Sequence, residues 1–99
     1  VNLALDFDDT YTRDPEMWNE FIDLMHRNGH NVYCVTMRTQ AEGRTVKEVL
    51  GKRVDGIFFT ARKAKRPYMF ALGIRIDVWV DDEPGWILQD AADAVQQEA

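Results

Sequence analysis

Two short apolar runs, each ended at once by acids, constrain this chain more than any other feature. Leu3-Ala4-Leu5 runs into Asp6-Phe7-Asp8-Asp9-Thr10, and Val78-Trp79-Val80 runs into Asp81-Asp82-Glu83-Pro84. An uninterrupted apolar run reads as a strand buried on both faces, the kind found in parallel sheets. Carboxylates crowded at a strand tip repel one another unless a cation or a shared proton offsets the cost. Strand alternation sets Asp6 and Asp8 on one side and turns Phe7 the other way, into the core. Open α/β sheets bind ligands in the crevice beyond the carboxyl ends of their strands. Two such strands side by side would gather Asp6, Asp8, Asp81 and Asp82 around one point, a set of hard oxygen donors suited to Mg²⁺. The plain alternatives are an acidic turn at the first tip and a helix N-cap at the second. Recurrence of the pattern in 99 residues favours the metal reading, with Asp81 toward the metal and Asp82 toward metal or cap.

Between the two tips the chain alternates strand and helix, without internal repeats. Strands are expected over Asn2–Asp8, Val32–Thr36, Gly56–Thr60 and Asp77–Val80. Asp14 and Pro15 supply a cap and first turn for a helix reaching Asn28, with Gly29 as its stop. Met17, Trp18, Phe21, Ile22, Leu24 and Met25 give that helix a broad apolar face. Thr39-Gln40-Ala41-Glu42 fits a capping box before a helix to Lys52. A short helix over Arg66–Leu72 and a last one over Pro84–Gln97 complete the layout. Such alternation implies a parallel sheet with right-handed crossovers.

The order and spacing of these motifs resemble the haloacid dehalogenase (HAD) superfamily of phosphatases and phosphotransferases. Four motifs between Asp6 and Asp82 carry the likeness, which therefore covers most of the chain. Asp6, Asp8 and Thr10 match the family's Asp-x-Asp-x-Thr opening, and Thr36 matches the hydroxyl ending its next strand. A lysine precedes the last acidic strand, whose pair is Asp81-Asp82. The same acidic pair also looks like the opening of a response-regulator receiver domain. There it ends the first strand, whereas here only Gly85 to Ala99 follow. The resemblance implies a three-layer Rossmann-like sheet of about four strands in the order 4-1-2-3, with the two acidic tips on adjacent strands.

It also implies roles. Phosphoryl transfer asks a protein mainly for positioning and for neutralisation of the equatorial oxygens. By resemblance Asp6 attacks phosphorus and forms an aspartyl-phosphate, a known mode of carboxylate catalysis. Asp8 protonates the leaving oxygen and then deprotonates the hydrolytic water. Mg²⁺ would be held by Asp6, the main-chain carbonyl of Asp8, and Asp81, with Asp82 close by. Of the two candidate lysines, Lys65 matches the family spacing to Tyr68-Met69 and Gly73, with Pro67 in the first helical turn. Lys63 is then a solvated charge on the substrate side. Thr10 and Arg38 are further phosphate contacts, Arg38 as a forked donor two residues after Thr36.

What separates the motifs is equally informative. Only Tyr11-Thr12-Arg13 lies between Thr10 and the first helix cap, and Thr36 to Lys65 holds one helix and one strand. The chain is therefore expected to lack a cap domain, a form that resembles family members acting on large substrates or borrowing a lid from a partner subunit. The whole chain is acidic, with net charge −5. Yet Arg44 to Arg66 holds eight basic residues against Glu48 and Asp55, a flank able to guide a nucleotide or a nucleic-acid end. A solvated helix face with a basic loop explains it equally well.

With 45% hydrophobic residues and no long apolar stretch, one soluble domain is expected, with no membrane span. A single cysteine, Cys34, sits inside a strand and reads as core, and the reducing cytoplasm is the expected compartment. The expected activity is thus Mg²⁺-dependent hydrolysis of a phosphomonoester. A non-catalytic Mg²⁺- or phosphate-binding module is the alternative, against which the joint presence of Asp6, Asp8, Thr36, Lys65 and Asp81 argues.

Overall fold

A computed structural model describes residues 1–93 of the chain. Four strands, β1 (Asn2–Leu5), β2 (Asn31–Thr36), β3 (Gly56–Phe59) and β4 (Val78–Val80), form one sheet in which every pairing is parallel. Their order is β3-β2-β1-β4, which read from the other edge is the expected 4-1-2-3. The helices are α1 (Pro15–Arg27), α2 (Arg44–Leu50), α3 (Lys65–Ala71) and α4 (Gly85–Leu88). None of the described helices is long and apolar enough to cross a membrane.

Alternation along the strands builds two cores. Leu3, Leu5, Val32 and Cys34 face one way and pack with Ile22 of α1 and Val46 and Leu50 of α2. Ala4 and Val35 face the other way, with Met69 of α3 and the partly buried Tyr33, Phe58 and Trp79. The sheet is therefore covered on both faces, as its continuous apolar strands require. Cys34 is fully buried, and that burial, aided by the charge of Asp6, pushes its thiol up to about 12. It is a core residue.

The helix ends follow local chemistry. Asp14 caps α1 by accepting the Met17 amide at 3.2 Å, with Pro15 in the first turn. At the other end Gly29 takes φ +79°, so that the Gly29 and His30 amides close back on His26 and Met25. Gly73 ends α3 the same way at φ +78°, and α3 starts one residue earlier than expected.

Three expectations need correction. The helix expected from the Thr39 capping box to Lys52 is divided. Glu42 does accept the Thr39 amide at 2.8 Å, but it closes a single 3-10 turn over Gln40–Glu42. At Gly43 the ring of Phe59 packs so close that an added Cβ would sit 2.3 Å from it, and α2 begins only after this contact. The last helix, expected over Pro84–Gln97, ends at Leu88 because Gln89 is extended. Asp90 accepts the Ala64 amide at 2.7 Å and the Ala91 amide donates to Arg62 at 2.9 Å, which draws the chain across the α3 entrance. Residues 94–97 of that expected helix lie outside the described residues.

The third correction bears on the site. Strand β1 stops at Leu5, and Asp6–Thr10 winds into turns closed by the Thr10 and Thr12 amides on the Phe7 carbonyl. Asp9 takes φ +61° within this loop. Phe7 still enters the core, but Asp8 no longer follows strand alternation.

Candidate active site

Register brings the two acidic tips together. Leu5 pairs with Val80, so the next residues, Asp6 and Asp81, leave the sheet side by side, and the Asp6 amide donates to the Val80 carbonyl at 2.9 Å. Carboxylate oxygens of Asp6, Asp81 and Asp82 lie within 4.8 Å of one another. The Lys65 ammonium, 1% exposed, donates to Asp6 Oδ1 at 2.7 Å and to Asp81 Oδ2 at 2.5 Å. It reaches them from the first turn of α3, whose placement follows from Met69 packing beneath the sheet. Thr10 Oγ1 lies 2.9 Å from Asp6 Oδ2 and 3.1 Å from Asp82 Oδ1, and accepts the Asp82 amide at 3.2 Å.

One hydroxyl proton cannot serve both carboxylates. Burial raises the Asp6 carboxyl to about 7 against the attraction of Lys65, with the neighbouring Asp82 carboxyl adding to the rise. Three carboxylates, Asp6 and Asp81 with covered side chains and Asp82 exposed at the rim, stand against one ammonium and leave a surplus of negative charge. A cation would offset that charge, and Asp6, Asp81 and Asp82 offer carboxylate oxygens close enough together to hold a metal ion.

Asp8 stands apart from this cluster. Its carboxylate takes a forked pair of bonds from Arg38, Nε to Oδ2 at 2.9 Å and Nη2 to Oδ1 at 2.7 Å. Arg38 is itself held by the Glu42 carbonyl at 2.9 Å and lies 5.0 Å above the Phe7 ring. The side-chain convergence of Asp6 with Asp8 expected from alternation is absent, because the chain turns out of the sheet after Leu5. Thr36 is buried at the end of β2, where its hydroxyl accepts the Arg38 amide at 3.2 Å, a turn-capping role. Lys63 lies outside the cluster, 3.6 Å from Asp90.

A second group at this edge includes Glu42, Trp86 and Asp93, to which sequence reasoning assigned no site role. A cleft of about 670 Å³ opens beside Asp8 and Arg38, with Arg62, Glu42, Asp93 and Trp86 in its walls. Arg62, at φ +70° after Ala61 at φ +53°, forks onto Glu42 at 3.0 Å on both oxygens and reaches Asp93 at 3.3 Å. That pairing holds the exposed Glu42 carboxyl down at about 2. An exposed tryptophan four residues after Asp82 was the available signal for this cleft.

The basic flank is also less open than its composition implies. Arg44 pairs with Glu48, Arg62 with Glu42 and Asp93, Lys63 with Asp90, and Lys65 with Asp6 and Asp81. No family model, curated protein or solved structure matches this chain.

Proposed function

We propose that this chain is a HAD-type phosphatase that hydrolyses a phosphomonoester with Mg²⁺. The observation that carries the reading is the Lys65 ammonium bridging Asp6 and Asp81, which joins β1, β4 and α3 at a single point. Buried structural ion pairs are common, but a structural pair is balanced. This one leaves Asp82 and a contested hydroxyl beside it.

In this reading Asp6 Oδ attacks phosphorus as the bond from phosphorus to the ester oxygen breaks. Asp8 gives its proton to the departing alkoxide. A water then attacks the aspartyl-phosphate, Asp8 takes the proton from that water, and inorganic phosphate leaves with the Asp6 carboxylate restored. Lys65 orients Asp6 and offsets charge on the phosphoryl oxygens. Asp6, Asp81 and Asp82 would hold Mg²⁺, which when bound supplies charge neutralisation between an anionic nucleophile and an anionic phosphate. Arg38 has a double duty: it holds Asp8 now, and a phosphate dianion competes for the same guanidinium. Engagement of Arg38 by substrate is what would release Asp8 for proton transfer.

The paired Asp8 also favours a second reading, a Mg²⁺- or phosphate-binding module without turnover, since such a module has no need of a free acid. One experiment separates the two. Phosphate release from a panel of phosphomonoesters is measured with and without Mg²⁺, with acid-quench trapping of the aspartyl-phosphate. Turnover and trapping that vanish in Asp6→Asn support the phosphatase. Mg²⁺ binding without release from any ester supports the module.

A further inference from the structure

Beside the acid cluster, the cleft walled by Asp8 and Arg38 is where the organic part of a phosphomonoester would lie if its phosphate met Asp6. This inference therefore rests on the phosphatase reading and extends it to the substrate. The lining carries four carboxylates, Asp8, Asp9, Glu42 and Asp93, against two guanidinium groups, Arg38 and Arg62. Both guanidinium groups are already taken by those carboxylates, Arg38 by Asp8 and Arg62 by Glu42 and Asp93. Asp9 lies 3.5 Å from Arg13, but both side chains are largely exposed and such a pair is weak. After Arg38 meets the phosphate, the cleft offers, among the described residues, no unengaged cation to a second anionic group.

Its remaining feature is aromatic. Trp86 lines the cleft with 41% of its surface exposed and belongs to neither core cluster. It is held close to the site by α4, whose first turn follows Asp81 and Asp82 and is tied by the Trp86 amide to the Glu83 carbonyl at 3.0 Å. An exposed indole face offers stacking to a flat ring and attraction to a cation. A field of surplus carboxylates repels anions over the same distance.

We infer that the cleft selects phosphomonoesters whose leaving group is an aromatic alcohol that is neutral or cationic, and disfavours those bearing further negative charge, oligonucleotide ends included. The pairing of Arg62 with Glu42 and Asp93 and the burial of Lys65 against Asp6 and Asp81 withdraw two charges from the basic flank that would otherwise have steered a polyanion. Arg44 and Lys63 sit in weaker, more exposed pairs.

The test compares benzyl phosphate with ethyl phosphate, whose leaving alcohols have similar acidity, so that binding rather than leaving-group chemistry sets the difference. The expected kcat/KM ratio is about ten-fold in favour of benzyl, carried mainly by KM. Trp86→Ala should reduce that ratio to near one, and Trp86→Phe should keep most of it. Among para-substituted benzyl phosphates, aminomethyl should lead, hydrogen follow and carboxylate trail, with the spread shrinking as salt is added. A benzyl-to-ethyl ratio near one, a ratio indifferent to Trp86→Ala, or a carboxylate ester that leads would each overturn the inference. If no ester is hydrolysed, the phosphatase reading fails instead, and calorimetric titration with benzylphosphonate and ethylphosphonate decides the cleft separately. Tighter, Trp86-dependent binding of benzylphosphonate then sustains the cleft's preference, and equal binding overturns it.

Discussion

The two ends of the sheet handle charge differently. At the amino end each carboxylate has its own donors: Asp55 accepts the Val32 amide at 2.7 Å and His26 at 2.8 Å, and Asp77 accepts the Asn2 amide at 2.8 Å and lies 3.3 Å from Arg75. At the carboxyl end Asp81 accepts the Glu83 amide at 3.0 Å, but the only side-chain donors seen among the described residues for Asp6, Asp81 and Asp82 are one ammonium and one hydroxyl. The first arrangement stabilises a fold. The second leaves repulsion in place, and perturbed, crowded carboxylates of this kind are more frequent at functional sites than in structural ion pairs.

The largest effect that would break this comparison is at Lys65. Lys65→Met removes the side-chain cation that, alone among the described residues, donates to the cluster, and leaves the covered Asp6 and Asp81 carboxylates facing one another. At pH 8 without Mg²⁺ the loss should be about 3 kcal/mol in urea unfolding, and added Mg²⁺ should restore part of it. Turnover should fall by a few powers of ten. Lys63→Ala, by contrast, removes only a long, half-exposed pair with Asp90 and should leave turnover within two-fold or so.

Asp6→Asn tests the same surplus from the other side. Removing one of three crowded carboxylates should raise the melting temperature by about 4 °C in Mg²⁺-free buffer while abolishing phosphoenzyme trapping. A lower melting temperature would mean that the cluster is balanced after all, like the pairs at the amino end.

The smallest effect belongs to Asp55. Burial works against its charged form, but the Val32 amide and His26 together hold its carboxyl below the ordinary range. A depressed carboxyl contributes stability that is fully present above the unfolded value of 3.8 and is lost as pH falls through the folded one. With its side chain about a third exposed, the contribution is about 0.5 kcal/mol after solvent screening. Asp55→Asn should therefore lower the urea midpoint slightly at pH 7, and the difference from the natural chain should shrink as pH falls below 3.8.

Sequence reasoning reached Asp6, Asp81 and Lys65 because each rests on a periodic rule. Parallel register pairs one strand tip with another, and Pro67 and Gly73 bracket the helix that carries the lysine. It misjudged the direction of the Asp8 side chain because a period-two argument holds only while the strand lasts, and β1 ends at Leu5 with a left-handed Asp9 soon after. It missed the divided second helix because the reason lies in Phe59, sixteen positions away from Gly43. The ties from Asp90 to Ala64 and from Ala91 to Arg62 were beyond it for the same cause, since helical propensity does not see a long-range partner.

Strand β4 has only three residues and lies at the sheet edge, paired to β1 alone. Two of the three clustered acids are thus carried by the segment with the least main-chain support, while Asp6 is carried by the interior strand. The consequence is a local clock. If β4 lifts away from β1, the Asp6 amide loses its bond to the Val80 carbonyl at the moment Asp81 and Asp82 part from Asp6. Deuterium uptake at that one amide then reports how often the cluster comes apart. Mg²⁺ bound across the gap should slow the uptake at Asp6 and leave the Val32 amide, bonded to Asp55 at the opposite end of the sheet, at its former rate.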